Sequence, residues 1–169
     1  QGRKTAALTT TFCVRLFVRG EKMEKYMKLA IKEAEKAFLA GEVPVGAVIV
    51  RGEKVVAKAH NQRERQKNAI NHAEIIAITK ACKKIKDWRL TDCVMYVTLK
   101  PCEMCVGAAK QARISKIIYA AENEKTVSCK NEIDIINFEG EQIKKKSSLL
   151  LKKFFKIQRI HLKWFRIKF

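Results

Sequence analysis

His72, Glu74, Cys102 and Cys105 have the side-chain types of a hydrolytic metal site, set in His-Ala-Glu (72–74) and Pro-Cys-Glu-Met-Cys (101–105). Imidazole nitrogen and thiolate sulfur are ligands that zinc favours, and catalytic zinc keeps three protein ligands and leaves a fourth position to water, whose pKa falls to near ~7. His72, Cys102 and Cys105 supply the three. Glu74, two residues from His72, is then the carboxylate that takes a proton from water and returns it to a leaving amine, as hydrolytic deamination of a nucleobase requires. Two other readings compete. A Cys-x-x-Cys pair also serves redox chemistry, or forms half of a closed structural zinc site. The redox reading gives no reason for His-Ala-Glu or Pro101. The closed site needs a fourth ligand from His60, Cys93, Cys129 or His161, none of which lies in a second paired motif.

The elements that must position these groups follow from periodicity. From Met23 to Ala40 the apolar residues Met27, Ala30, Ile31, Ala34, Ala37 and Phe38 recur at helical spacing, with Gly41 as the stop. Val45 to Val50, a turn at Arg51-Gly52-Glu53, and Lys54 to His60 predict a β-hairpin. Residues 61–71 are polar and predict a loop, with Asn71 capping a helix from His72 to about Lys86. Cys93 to Leu99 reads as a buried strand stopped by Pro101. Cys102 to Arg113 reads as a helix, so both cysteines sit at its N-terminus, where the dipole and a metal favour thiolate. Lys116 to Ala121 predicts another strand. Glu122 to Gly140 is polar, with a loop or short strand at Ile133 to Phe138, and Ser147 to Arg159 predicts a last amphipathic helix. Strands alternating with helices behind a leading hairpin give an α/β fold with a mixed sheet. Two helix N-termini brought together would deliver His72 from one and Cys102 and Cys105 from the other.

A length of 169 residues suits one domain with a real core. With 36 Lys+Arg against 17 Asp+Glu the net charge is +19, which favours a polyanionic partner such as nucleic acid, although lysines scattered over a solvated surface give the same total. Six cysteines without regular disulfide spacing fit a reducing compartment. No apolar run approaches the ~18 residues that cross a bilayer, so a soluble protein without a membrane partner is expected. Residues 1–22 read as a disordered extension, a leader or an organelle transit peptide, since the first 20 hold Arg3, Lys4, Arg15 and Arg19 and no acid. One folded domain is expected over 23–160 and a basic aromatic tail over 161–169. From Gln142 onward there is no acid, and lysines interleave with Phe154, Phe155, Trp164 and Phe165. That stretch either grips phosphates or packs its aromatic face on the core.

Further motifs narrow the reading. Gly41-Glu42-Val43-Pro44-Val45-Gly46-Ala47-Val48, His60-Asn61-x-Arg63, His72-Ala73-Glu74-Ile75, and Tyr96-Val97-Thr98-Leu99 running into Pro101-Cys102-Glu103-Met104-Cys105-Val106-Gly107-Ala108 closely resemble the bacterial-type tRNA-specific adenosine deaminases of the cytidine deaminase-like superfamily, over about residues 23 to 160. The metal signature alone is shared by the whole superfamily, including enzymes of free cytosine, nucleotides and guanine. The resemblance implies a three-layer α/β/α fold with a mixed central sheet, a homodimer, one Zn2+ per subunit, and conversion of adenosine to inosine at wobble position 34 in a tRNA anticodon stem-loop. It implies a bacterial cytoplasmic location, or an organelle if residues 1–22 are a transit peptide. It also implies that Asn61 hydrogen-bonds the flipped base, that Val43-Pro44-Val45 lines the base pocket, and that Asn123 faces the substrate backbone. Glu74 would shuttle protons, and His72, Cys102 and Cys105 would hold zinc.

The chain departs from that family in places. Lys100 stands where Glu usually precedes Pro-Cys. Ala120 to Val127 lacks both glycines of Gly-Ala-x-Asp-x-Lys-x-Gly and has Asn123 for the Asp, and residues 127–140 are shorter than usual. The alternative function is deamination of a free nucleoside, nucleotide or base. A catalytically idle RNA-binding subunit is a third reading, against which the retained Glu74 argues.

Overall fold

The computed structural model describes residues 6–123 and 133–167, with side chains placed over 20–123 and 133–160. Its elements are α1 (Ala6–Leu39), β1 (Gly46–Arg51), β2 (Lys54–His60), α2 (Arg63–Gln66), α3 (Ala73–Ile85), β3 (Cys93–Leu99), α4 (Glu103–Gln111), β4 (Lys116–Ala121), β5 (Asp134–Asn137) and α5 (Glu141–Ile167). Among the described residues the strands form a sheet of order β2-β1-β3-β4-β5. β1 runs antiparallel to β2 and β3, while the β3–β4 and β4–β5 pairs are parallel, so the sheet is mixed as expected.

Both faces of the central strands are covered, which is why β1 and β3 read as nearly continuous apolar runs. Ala47 and Ile49 of β1, Met95 and Val97 of β3, and Ile117 of β4 point to one side, where Ala73, Ala77 and Ala81 of α3 and Val106 and Ala109 of α4 pack on them. Val48, Val50, Tyr96 and Ile118 point to the other, against Tyr26, Met27, Ala30 and Ile31 of α1 and Ile143 of α5. The result is three layers, α/β/α. At Gly46 the approach of α1 to β1 is so close that a Cβ would lie 2.1 Å from the Ala30 carbonyl oxygen and 2.5 Å from the Ala34 nitrogen. Backbone atoms cannot yield there, so the glycine sets the spacing between helix and sheet.

Several boundaries differ from the sequence expectation. α1 begins at Ala6 rather than near Met23, so the helix runs back through residues 6–22 of the expected extension. That stretch has no proline and a single glycine, Gly20, so nothing in it stops a helix. The loop 61–71 contains the single turn α2. α5 starts six residues before Ser147 and continues through Ile167, so most of the expected 161–169 tail is an extension of the last helix, with residues 168–169 outside the described part. The mixed run at 133–138 forms β5, held in parallel register with β4. Residues 124–132, which include Cys129 and part of the altered loop, also lie outside the described part. No helix among the described residues is long and apolar enough to cross a membrane.

Candidate active site

α3 and α4 stand side by side on one face of the sheet, and both begin at the same end of it. His72 is the N-cap of α3 and Cys102 the N-cap of α4, each with extended backbone and neither making a side-chain cap bond. Asn71, expected to cap α3, instead donates from its Nδ2 to Gln66 Oε1 at 2.5 Å. With their side chains free of capping, the imidazole and thiols turn toward one another. His72 Nδ1 lies 3.6 Å from Cys102 Sγ and 3.5 Å from Cys105 Sγ. Among the described residues, these three form a group whose ligand atoms all fall within 4.8 Å, suited to holding a metal ion.

Electrostatics distinguish the three. The Cys102 thiol is pulled down to about 4, because Cys105 and then His72 hydrogen-bond to its sulfur. The same contact with Cys102, followed by burial, pushes the Cys105 thiol up. His72 is raised, chiefly by its hydrogen bond to Cys102. A thiolate at a helix N-terminus is ready to ligate a cation, and binding one displaces protons from the ligands that still carry them.

Glu74, in the first turn of α3, is 4 % exposed, and that burial pushes its carboxyl above the ordinary carboxylate range. A carboxyl whose hold on its proton is strengthened by burial, and which is shielded from bulk water, is suited to carrying a proton. Asn61, at the end of β2, accepts a hydrogen bond at its Oδ1 from the Ala73 N–H, 3.0 Å away. It thus supplies the cap that His72 does not. Its own N–H donates to the Val45 carbonyl at 3.1 Å, which ties it to the 43–45 turn.

These groups surround a cleft of about 110 Å³. Val43, Val45, Asn61, His72, Glu74, Cys102 and Asn123 line it. Cys105 lies buried behind the lining. Pro44, expected in the base pocket, is fully buried and is not part of the lining. Arg63, Leu99 and Lys100 complete the lining. Lys100 had drawn notice only as a departure, and Leu99 and Arg63 only as parts of motifs.

Glu42 also escaped notice as a functional support. It is 1 % exposed and accepts from the backbone N–H groups of Glu64 at 3.2 Å and Arg65 at 2.8 Å. This carboxylate caps the start of α2 and, with the Asn61 N–H bond to the Val45 carbonyl, ties the 42–45 and 61–66 segments together. The available signal was an acid with no helix of its own, between Gly41 and Val43-Pro44. A larger hollow of about 710 Å³, beside Tyr26, Tyr96 and Phe138 on the α1 side of the sheet, brings none of the metal-binding side chains together.

Comparison with known proteins agrees with this geometry. The MafB19-like deaminase family matches residues 21–159. A tRNA-specific adenosine deaminase of Bacillus subtilis is 49% identical over 102 residues, covering 60% of this chain and 63% of the relative, so this chain spans somewhat under two thirds of that protein's length. A tRNA-specific adenosine deaminase of Rickettsia bellii is 40% identical over 141 residues, covering 77% of this chain and 97% of the relative. A structure solved in work on A-to-I editing by tRNA:A34 deaminases superposes with a TM-score of 0.70 at 31% identity, over 76% of this chain and 99% of that one. Guanine deaminase of Bacillus subtilis superposes with a TM-score of 0.56 at 39% identity, over 59% of this chain and 64% of that one.

Proposed function

Because the chain belongs to the MafB19-like deaminase family, we propose that it converts adenosine to inosine by hydrolysis at wobble position 34 of a tRNA anticodon. The observation that carries this reading is the buried Glu74 carboxyl set against His72, Cys102 and Cys105 at the floor of a small cleft. The names of the 40–49% identical relatives support the choice of substrate.

The donor set fits zinc. Bonds of about 2.0–2.3 Å arranged tetrahedrally place neighbouring N and S ligand atoms about 3.5–3.8 Å apart, and the observed Nδ1 to Sγ distances are 3.5 and 3.6 Å. Zinc bound by His72, Cys102 and Cys105 would supply Lewis-acid activation of water. The protein groups do the rest. Val43, Val45 and Leu99 present apolar surface to the base, and Asn61, its Oδ1 engaged by Ala73, offers its amide N–H to a ring acceptor. Glu74 holds the proton released as water adds to C6 and passes it to the ring nitrogen beside C6; it then carries the proton of the new C6 hydroxyl to the exocyclic amine, so that the carbonyl forms as the C6–N bond breaks and ammonia leaves. The homodimer and the cytoplasmic or organellar location belong to the same reading; sedimentation of the full chain and imaging of a tagged copy check them.

A second reading, deamination of a free base, draws support from the likeness to guanine deaminase. The net charge of +19 favours the polyanion. Incubation with a tRNA carrying adenosine-34, beside free adenosine, cytosine and guanine, separates the two. Inosine at position 34 is expected; turnover of guanine with the tRNA unchanged would overturn the proposal.

A further inference from the structure

Arg63 and Lys100 bring two cations to the wall of the cleft. Lys100 leaves β3 where the β3–β4 ladder ends. Leu99 is the last paired residue, opposite Ala121, and the Lys100 N–H donates to the Ala121 carbonyl at 2.8 Å. That register sets the Lys100 side chain beside Glu122, the residue after Ala121. Its ammonium lies 3.3 Å from Glu122 Oε2 and 5.7 Å from the centre of the Tyr119 ring.

The Glu122 carboxylate is itself fixed. It accepts from the Tyr119 hydroxyl at 2.5 Å and from Asn137 Nδ2 at 2.9 Å, two donors that hold it whether or not Lys100 is present. The Tyr119 hydroxyl contact, with a smaller contribution from Lys100, keeps the carboxyl below the usual range, while burial and Glu122 push Tyr119 up to about 12. The lysine is the movable partner, a compact charge on a flexible four-carbon stem. With the two side chains 30% and 55% exposed, their pairing adds little to stability. Its position matters more. A nucleoside that enters base first leaves its phosphate at the rim, where Lys100 stands.

We propose that Lys100 is a specificity-determining residue that pairs with the phosphate next to the bound nucleoside, and that Glu122 holds it at the rim and competes with that phosphate for it. The identity of the nucleoside rests on the deaminase reading; the phosphate contact is tested by binding alone. Glu122 acts only through Lys100, so the two substitutions must be non-additive.

The test uses the full chain and an RNA hairpin with one loop adenine, its affinity followed by fluorescence anisotropy across salt concentrations, with adenosine and adenosine 5′-monophosphate as competitors. Lys100→Gln should weaken hairpin binding roughly three- to tenfold and reduce the salt slope by about 0.7 log unit, the share of one single-strand phosphate. Glu122→Gln keeps an acceptor for Tyr119 but loses its charge, and should tighten binding severalfold. In the Lys100→Gln background it should do nothing. In turnover the effect should fall on KM. If the monophosphate follows the hairpin, the contact is to the nucleoside's own phosphate; if it follows adenosine, the contact is to the flanking phosphodiester. Equal salt slopes for the parent and Lys100→Gln, or a Glu122→Gln effect that persists in the double variant, would overturn the proposal. Absence of inosine with this binding pattern intact would overturn the deaminase reading and leave the phosphate contact standing.

Discussion

The side-chain Oδ1 of Asn61 lies 3.0 Å from the backbone N–H of Ala73, the residue between His72 and Glu74. One amide therefore anchors the start of α3 and faces the cleft. The two roles separate by substitution. Asn61→Ala removes the acceptor and should cost about 1 kcal/mol of stability, as loss of a helix cap does. Asn61→Asp keeps the acceptor and should retain most of that stability, while both variants lose the donor to the base and with it about tenfold or more in kcat/KM. Denaturant unfolding beside kinetics checks this, and an Asn61→Asp enzyme of parental activity would remove the donor role.

Glu74 is two residues from His72 but is not needed as a ligand, since His72, Cys102 and Cys105 already converge. Glu74→Gln keeps the volume of a buried side chain and removes its capacity to carry a proton. Activity should fall by the ~10²–10⁴-fold typical of a lost general acid/base, with zinc content by elemental analysis unchanged. Zinc lost in step with activity would make Glu74 a ligand.

The metal motif was legible because metal chemistry constrains residue type and spacing together, and helix N-termini at 72 and 102 follow from the polar loop before one and the strand and Pro101 before the other. The paired strands were legible because both faces of β1 and β3 are covered. What could not be read is what depends on contacts between distant segments. Glu42 serves α2 from 22 and 23 residues away, and Asn61 caps a helix that Asn71 was better placed in sequence to cap. Pro44 is fully buried beside the tight α1–β1 approach at Gly46, a contact between segments that local sequence does not display. Helix ends were the least legible: Thr5 before Ala6, and Gly140 before the first-turn acid Glu141, are ordinary start signals, weaker than the periodicity that begins later.

Acid sensitivity should centre on Glu33. This residue of α1 is 5 % exposed and accepts from Lys36 Nζ at 2.6 Å and pairs with His60 Nδ1 at 3.0 Å, joining α1 to the end of β2 just before Asn61. Burial pushes its carboxyl up, but the hydrogen bonds from Lys36 and His60 prevail and hold it below the ordinary 4.5. For a carboxyl lowered by folding, the unfolded chain binds the proton more tightly, so the stabilisation is full above 4.5 and is lost as pH falls through the lower folded value. The melting temperature of the parent should therefore exceed that of Glu33→Gln most at neutral pH, with the gap closing as pH falls below 4.5. Parallel curves over that range would show that Glu33 is not the group responsible.

Asn123 offers a test of how substrate choice depends on one rim residue. It lines the cleft immediately after Glu122, and in the proposed reading a nucleoside whose base is inside rests its sugar nearby. A carboxamide there presents an acceptor and two donors without charge, so it can bond either a ribose or a deoxyribose neighbourhood. An Asp at the same place would accept from a ribose 2′-OH but repel a nearby phosphate, which makes the 2′-OH a larger part of net binding. Asn123→Asp should therefore raise the RNA-to-DNA ratio of kcat/KM by roughly two- to tenfold, the range of one neutral hydrogen bond. Matched RNA and DNA hairpins carrying a single target adenine, assayed with both proteins, give the ratio directly. If it is unchanged while both enzymes remain active, Asn123 does not touch the sugar, and discrimination between the two nucleic acids resides in other residues of the cleft wall.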